Sequence, residues 1–153
     1  MKKLVMIGIV VAVMFGFAGN GFAAEKRGTA AEAEKMVKKA VALAKAKGND
    51  AAFAEINNKN GQFTDKDLYV FVYDMGGKVM AHGLNQKMIG KELIDMKDAD
   101  GKEFVKERVE IAKTKGSGWQ DYKFTDPITK MIEHKRAYVE RNGGLIFGCG
   151  IYK

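Results

Sequence analysis

A single cysteine, Cys149, stands in the whole chain. One thiol excludes an intramolecular disulfide, and it also excludes a Cys-x-x-Cys redox pair or a c-type haem attachment. Flanked by Gly148 and Gly150 within an apolar run, it reads as a small core residue. Histidine is nearly as scarce: His82 and His134 are too few for a zinc constellation without cysteine partners. No apolar run is long enough for a comfortable membrane span, which needs about 20 residues. No activated nucleophile or carboxylate pair with recognisable spacing is present either. Ser117, in Gly-Ser-Gly, lacks the pattern of a nucleophile elbow, so the chain is not read as an enzyme.

What is present begins with an N-terminal targeting signature. Lys2 and Lys3 precede an apolar run from Leu4 to Phe17, and Gly21-Phe22-Ala23 offers small residues where a signal peptidase reads. Residues 1–23 are therefore expected to be a cleaved signal peptide, with residues 24–153 forming one domain in the periplasm; a retained anchor is the weaker reading. Removing Lys2 and Lys3 lowers the formal charge from +7 to +5. The remaining lysines are spread beside Glu and Asp along helix-like segments, which is the pattern of a solvated face and not of a nucleic-acid surface.

The strongest local signal is Leu68 to His82. Tyr69, Phe71 and Tyr73 alternate with Val70 and Val72, Asp74-Met75-Gly76-Gly77 supplies a turn, and Lys78 to His82 returns antiparallel. With both faces apolar, this strand belongs inside a sheet covered on each side. Upstream, Thr29-x-x-Glu32 is a capping box, followed by Met36, Val37, Ala40, Leu43 and Ala44 on one helical stripe closed by Gly48. A second short helix carries Phe53 and Ile56, with Asn49 or Asp50 as its expected cap. Gly83 to Asp100 shows neither period yet is rich in apolar residues, the mark of a packed lid. A helix is expected from Asp100, with Glu103 completing a capping box and Phe104, Val105, Val109 and Ala112 on its face. Strands follow over Trp119–Phe124, Met131–Arg141 and Leu145–Tyr152, the last two joined at Asn142-Gly143-Gly144. The order predicts an α+β fold: a five-stranded antiparallel sheet with a long N-terminal helix and a helical lid or connector.

Taken together and in order, these motifs resemble the single-Cache sensor domains, type 2, a PAS-like extracytoplasmic family. The shared set is Tyr69 to Gly77, His82, Ile89-Gly90-Lys91, Asp98-x-Asp100-Gly101-x-x-Phe104, Gly118-x-x-x-Tyr122-x-Phe124, Pro127, Lys135-x-x-Tyr138-Val139 and Gly148-x-Gly150-Ile151-Tyr152. The resemblance implies non-catalytic sensing of a small ligand, often a short carboxylate, held between sheet and lid, with no cofactor. Gly83 departs from the family, which usually has proline there.

A carboxylate in an apolar pocket needs a fixed cation and directed donors. Lys135 is the candidate cation, since it matches the Lys-x-x-Tyr motif and interrupts an apolar strand. Tyr122 and Tyr138 are candidate phenol donors, although strand alternation points Lys135 and Tyr138 to opposite faces unless a bulge intervenes. His82 is a candidate donor whose charge could change near neutral pH. Phe71, Tyr73, Trp119 and Met88 are candidate walls. A metal reading of Asp98-x-Asp100-Gly101-x5-Glu107 fails at its first position, Met96, where calcium needs a carboxylate. The chain stops at Lys153 without an output domain, so it is expected to hand its signal to a partner such as a membrane receptor, with a homodimer through the first helix as a further expectation. The alternative is a domain that has lost its ligand and works by docking.

Overall fold

The structure is a computed structural model that describes residues 26–153. The expected signal peptide lies outside the described residues. Helix α1 (Ala30–Lys47) opens on the expected capping box: the Glu32 amide donates to Thr29 Oγ1, and the Thr29 amide donates to the Glu32 carboxylate at 2.8 Å. Its stripe of Ala33, Val37, Ala40, Val41 and Ala44 is buried, each valine contributing about 1.5–3 kcal/mol by leaving water. Lys35, Lys38, Lys39 and Lys45 are exposed, and the outer face, where a second copy was expected, carries no large apolar side chain. Helix α2 (Asn49–Asn57) follows at once with Gly48 as its cap, and neither Asn49 nor Asp50 supplies the expected side-chain bond.

The expected single strand over residues 68–74 is split. The Val70 amide turns away to the Phe63 carbonyl, which leaves a two-stranded ribbon of β1 (Thr64–Asp65) and β2 (Leu68–Tyr69) beside β3 (Phe71–Asp74). Strand β3 pairs with β4 (Val79–His82) across the predicted turn, with a register shift between Val72 and Tyr73. The main sheet is completed by β5 (Ser117–Thr125), β6 (Ile132–Asn142) and β7 (Leu145–Tyr152), in the antiparallel order β4-β3-β7-β6-β5. Helix α1 and α2 cover one face, over Val70, Val72, Phe147 and Cys149. Helix α3 (Phe104–Thr114) and the lid cover the other, over Tyr69, Phe71, Tyr73, Val139 and Ile146.

The lid is sewn to the edge strand and is mostly not helical. Its one regular piece is a 3-10 turn at Gln86–Met88. The Val79 amide donates to the Lys91 carbonyl, and the Gly90 and Leu93 amides donate to the Val79 and Gly77 carbonyls. An edge that would otherwise present open backbone groups is thereby closed. Helix α3 also starts differently from expectation. Glu103 makes no capping bond; instead Asp98 Oδ1 accepts from the Asp100 and Lys102 amides and Oδ2 from the Lys123 amide, at 2.9–3.0 Å. Those amides take the carboxylate that the calcium pattern would have used.

At the start of the fold, Arg27 Nη1 bridges two buried carboxylates, Asp67 at 3.1 Å and Asp126, while the Gly28 amide donates to Asp67 at 2.7 Å. Asp126 also accepts from the Ile128 amide in the β5–β6 turn. Among the described residues, no helix is long and apolar enough to cross a membrane.

Candidate functional site

The lid face of the sheet holds two buried cations. Lys135 comes from the start of β6, where Gly150 on β7 leaves room for its stem: a Cβ at Gly150 would stand 2.6 Å from Lys135 Cε. Gly148 does the same for the ring of Phe71. The glycines beside Cys149 are therefore small because the site lies over them.

Lys135 Nζ donates to the Tyr69 hydroxyl at 2.6 Å. That hydroxyl lies 3.2 Å from the Tyr152 hydroxyl, which in turn donates to the Thr125 carbonyl at 2.7 Å. Since Tyr152 spends its proton on Thr125, Tyr69 must donate to Tyr152, and the three groups form one directed chain. The rings of Tyr69, Tyr152, Phe71 and Phe124 surround the ammonium at 4.1–5.5 Å from their centroids.

The second cation, Arg108 on α3, escaped the sequence reading. It is 1% exposed. Its guanidinium lies 4.3 Å from the centroid of Phe71 and 4.6 Å from that of Tyr73, with Tyr122 and Phe104 at 5.5 and 5.6 Å. Nε donates to Gln120 at 2.9 Å, and Gln120 is itself held by the Phe104 carbonyl and Glu107. Nη1 is buried without a hydrogen-bond partner. Among the described residues, no carboxylate forms an ion pair with either cation. Cation–π contact offsets part of the desolvation, but two ions sharing one apolar face without an anion remain costly. Burial, with Arg108 adding to it, brings the Lys135 ammonium down to about 7.

Tyr69 and Phe124, which flank the Lys135 ammonium, also line a cavity of about 330 Å³, whose other walls are His82, Leu84, Asn85 and Met88 on one side and Thr125 to Pro127 with Lys130 on the other; neither buried cation itself lines it. Its size suits a small metabolite. A shallower groove of about 190 Å³ beside α1 is lined by Glu32, Lys35 and Lys39, on the α1 face and away from the lid. His82 stacks on Tyr69 at 5.0 Å. Its Nδ1 accepts from the Leu84 and Asn85 amides at 3.2 and 2.9 Å, which assigns the ring proton to Nε2. Burial and the charge of Lys135 lower it to about 3. The expected change of charge near neutral pH is thus corrected: His82 is neutral there.

Of the residues read from sequence, His82 and Met88 line the cavity, while Lys135, Tyr122, Phe71 and Tyr73 lie on the same sheet face around the cations. Tyr122 stacks flat on Phe104 at 4.6 Å. Tyr138 and Trp119 are corrected. They face α1, ring to ring at 5.4 Å, and the Tyr138 hydroxyl donates to Glu140. Strand β6 keeps unbroken register with both neighbours, so no bulge turns Tyr138 toward Lys135. Tyr69, Tyr152, Arg108 and Gln120 take their places.

An antiparallel sheet with α1 behind it, and in front a lid and helix over two buried cations with a pocket beside them, defines a PAS-like sensor domain. The chain belongs to the Single Cache domain 2 family, whose profile matches residues 23–152. It is similar to the methyl-accepting chemotaxis protein McpP of Pseudomonas putida, 29% identical over 58% of this chain and 16% of that protein. It is also similar to the sensor histidine kinase MctS of Rhizobium johnstonii, 33% identical over 57% of this chain and 19% of that protein. The match spans less than a fifth of each of these curated relatives. Among solved structures, a methyl-accepting chemotaxis protein from Vibrio parahaemolyticus superposes with TM-score 0.70 at 23% identity, covering 80% of this chain and 86% of that one. A Cache chemosensory domain, described for its structural basis of carboxylic acid recognition, superposes at TM-score 0.62 with 26% identity over 78% of this chain and 84% of its own. Cache domains are extracytoplasmic sensor domains, and that is the class of this one.

Proposed function

We propose that this domain binds a short carboxylate in the periplasm, without catalysis, and passes occupancy to a membrane receptor or other partner. The observation that carries the reading is the pair of buried cations, Lys135 and Arg108, with one guanidinium nitrogen unpartnered and, among the described residues, no acid paired with either. A carboxylate would supply the missing charge and accept from Nζ and Nη1, while Tyr122 and the Nε2–H of His82 add neutral donors. The carboxylic acid recognised by the Cache chemosensory domain of similar fold supports this choice of ligand class. The larger relatives carry further chain, so the role assigned here is the sensing step alone.

The test is a thermal-shift screen of the purified protein against small carboxylates, amino acids, amines and Ca²⁺, repeated on Lys135→Met and Arg108→Met. Ligand at about 100-fold excess over Kd adds roughly 2.7 kcal/mol to the folded state. A carboxylate hit that both variants lose supports the site. No hit, with a cooperative melt, refutes it and favours the docking alternative.

A further inference from the structure

Lys135 Nζ occupies a place where an ammonium is hard to keep. It is 1% exposed, donates to one phenol, and faces aromatic rings on its other sides. An ammonium has three donors and wants three acceptors or an anion; a neutral amine is far less penalised with one bond. The groups that face it are Tyr69 from β2, His82 from β4, Tyr122 from β5, Tyr152 from β7 and Arg108 from α3, with Cys149 of β7 behind it on the opposite face of the sheet. Arg108 repels the charge. Asp67 and Asp126, the acids with any pull on it, are already engaged by Arg27.

Resting on the carboxylate reading of this same site, we infer that the site loads an anion and a proton together: the empty domain holds Lys135 as an amine in mildly alkaline solution, and the arriving carboxylate brings it back to the ammonium. No bond is made or broken beyond the proton, which comes from solvent and ends on Nζ.

The neighbours leave Lys135 as the group that titrates. His82 is brought down to about 3 and the Cys149 thiol pushed up to about 12 by burial, as is Tyr122. Burial raises Tyr69 and Tyr152 as well. Of these groups around the site, Lys135, at about 7, is the one that changes charge in the neutral range. Below that point the site is already charged and affinity is flat. Above it, every anion bound requires one proton, so Kd weakens about tenfold for each pH unit.

The experiment is calorimetric titration of the whole protein with acetate, propionate, lactate, pyruvate and succinate, in phosphate and in Tris, from about pH 6 to 9. Buffers with different ionisation heats report the protons exchanged. Uptake of close to one proton per anion near pH 8, falling toward none near pH 6, is expected, with the tenfold-per-unit loss of affinity. Binding with buffer-independent heats and a flat Kd overturns the inference and leaves the carboxylate site standing. No heat with any of the five overturns the carboxylate reading, and this inference with it. Lys135→Arg locates the proton, because a guanidinium does not deprotonate in this range. Retained binding with no proton uptake assigns it to Lys135, and persistent uptake overturns that assignment. If Lys135→Arg does not fold, the wild-type proton count still decides.

Discussion

Removing the lysine should make the empty domain more stable. Lys135 ordinarily titrates at 10.5 and in the fold at about 7. Between those values the unfolded chain holds a proton that the folded chain does not, so the lysine's own contribution to stability is most favourable above pH 10.5 and declines as pH falls. Each pH unit in that window costs about 1.36 kcal/mol, which totals about 5 kcal/mol at pH 7 and stays there at lower pH. Lys135→Met keeps the stem length and removes the charge, at the loss of one hydrogen bond to Tyr69 worth about 1 kcal/mol. The net expectation is a gain of about 4 kcal/mol near pH 6, shrinking to about 1 kcal/mol near pH 9, where about 2 kcal/mol of penalty is left. Urea unfolding of both proteins at the two pH values, without added carboxylate, measures it. A Lys135→Met protein less stable than wild type at pH 6, or a difference that does not shrink with pH, refutes the account of a buried cation held without its partner. A functional site built at the expense of stability is the general pattern this exemplifies.

Three further outcomes follow from the same geometry. Arg108→Met, which keeps most of the apolar stem but no donors, should weaken carboxylate binding at least tenfold in calorimetry, because a charge-assisted hydrogen bond is worth about 1.5–3 kcal/mol. Gly150→Ala puts a methyl 2.6 Å from Lys135 Cε and 3.0 Å from Ala137 Cβ; it should destabilise the domain by about 1–3 kcal/mol in urea melts and displace the lysine, lowering affinity. Cys149, fully buried with its thiol pushed up to about 12, should resist Ellman's reagent in the native protein and react at once in urea, whereas fast native labelling would contradict its burial.

Much of the frame was legible in the chain because it is written in short-range chemistry. The Thr29–Glu32 box, the alternation from Tyr69 to Tyr73 and the Asn142-Gly143-Gly144 turn each act over a few residues, and each appears where expected. Lys135 was legible as a charge interrupting an apolar strand. Arg108 was not. It stands four residues after Phe104 and four before Ala112, on the buried side of α3, but a charged residue in a helix rich in lysine and glutamate looks like part of the wet face. Only the approach of α3 to Phe71 and Tyr73, far away in sequence, shows otherwise. Tyr69 was legible as one of three aromatic residues on a shared strand face, but its meeting with Tyr152 was not, since their hydroxyls come together across 83 positions of chain. Tyr138 was drawn into the site by its motif spacing, while strand alternation already argued for the opposite face.

Arg27 ties the first described residues of the chain to the β5–β6 turn, and that turn is also a wall of the cavity through Thr125, Asp126 and Pro127. In mechanical terms the N-terminal strand of chain is a guy-rope and not a loose tether. Its anchorage is the pair of charged contacts that Arg27 makes with Asp67 and Asp126, just ahead of helix α1. One ion pair thus joins the segment leading into α1 to a wall of the pocket.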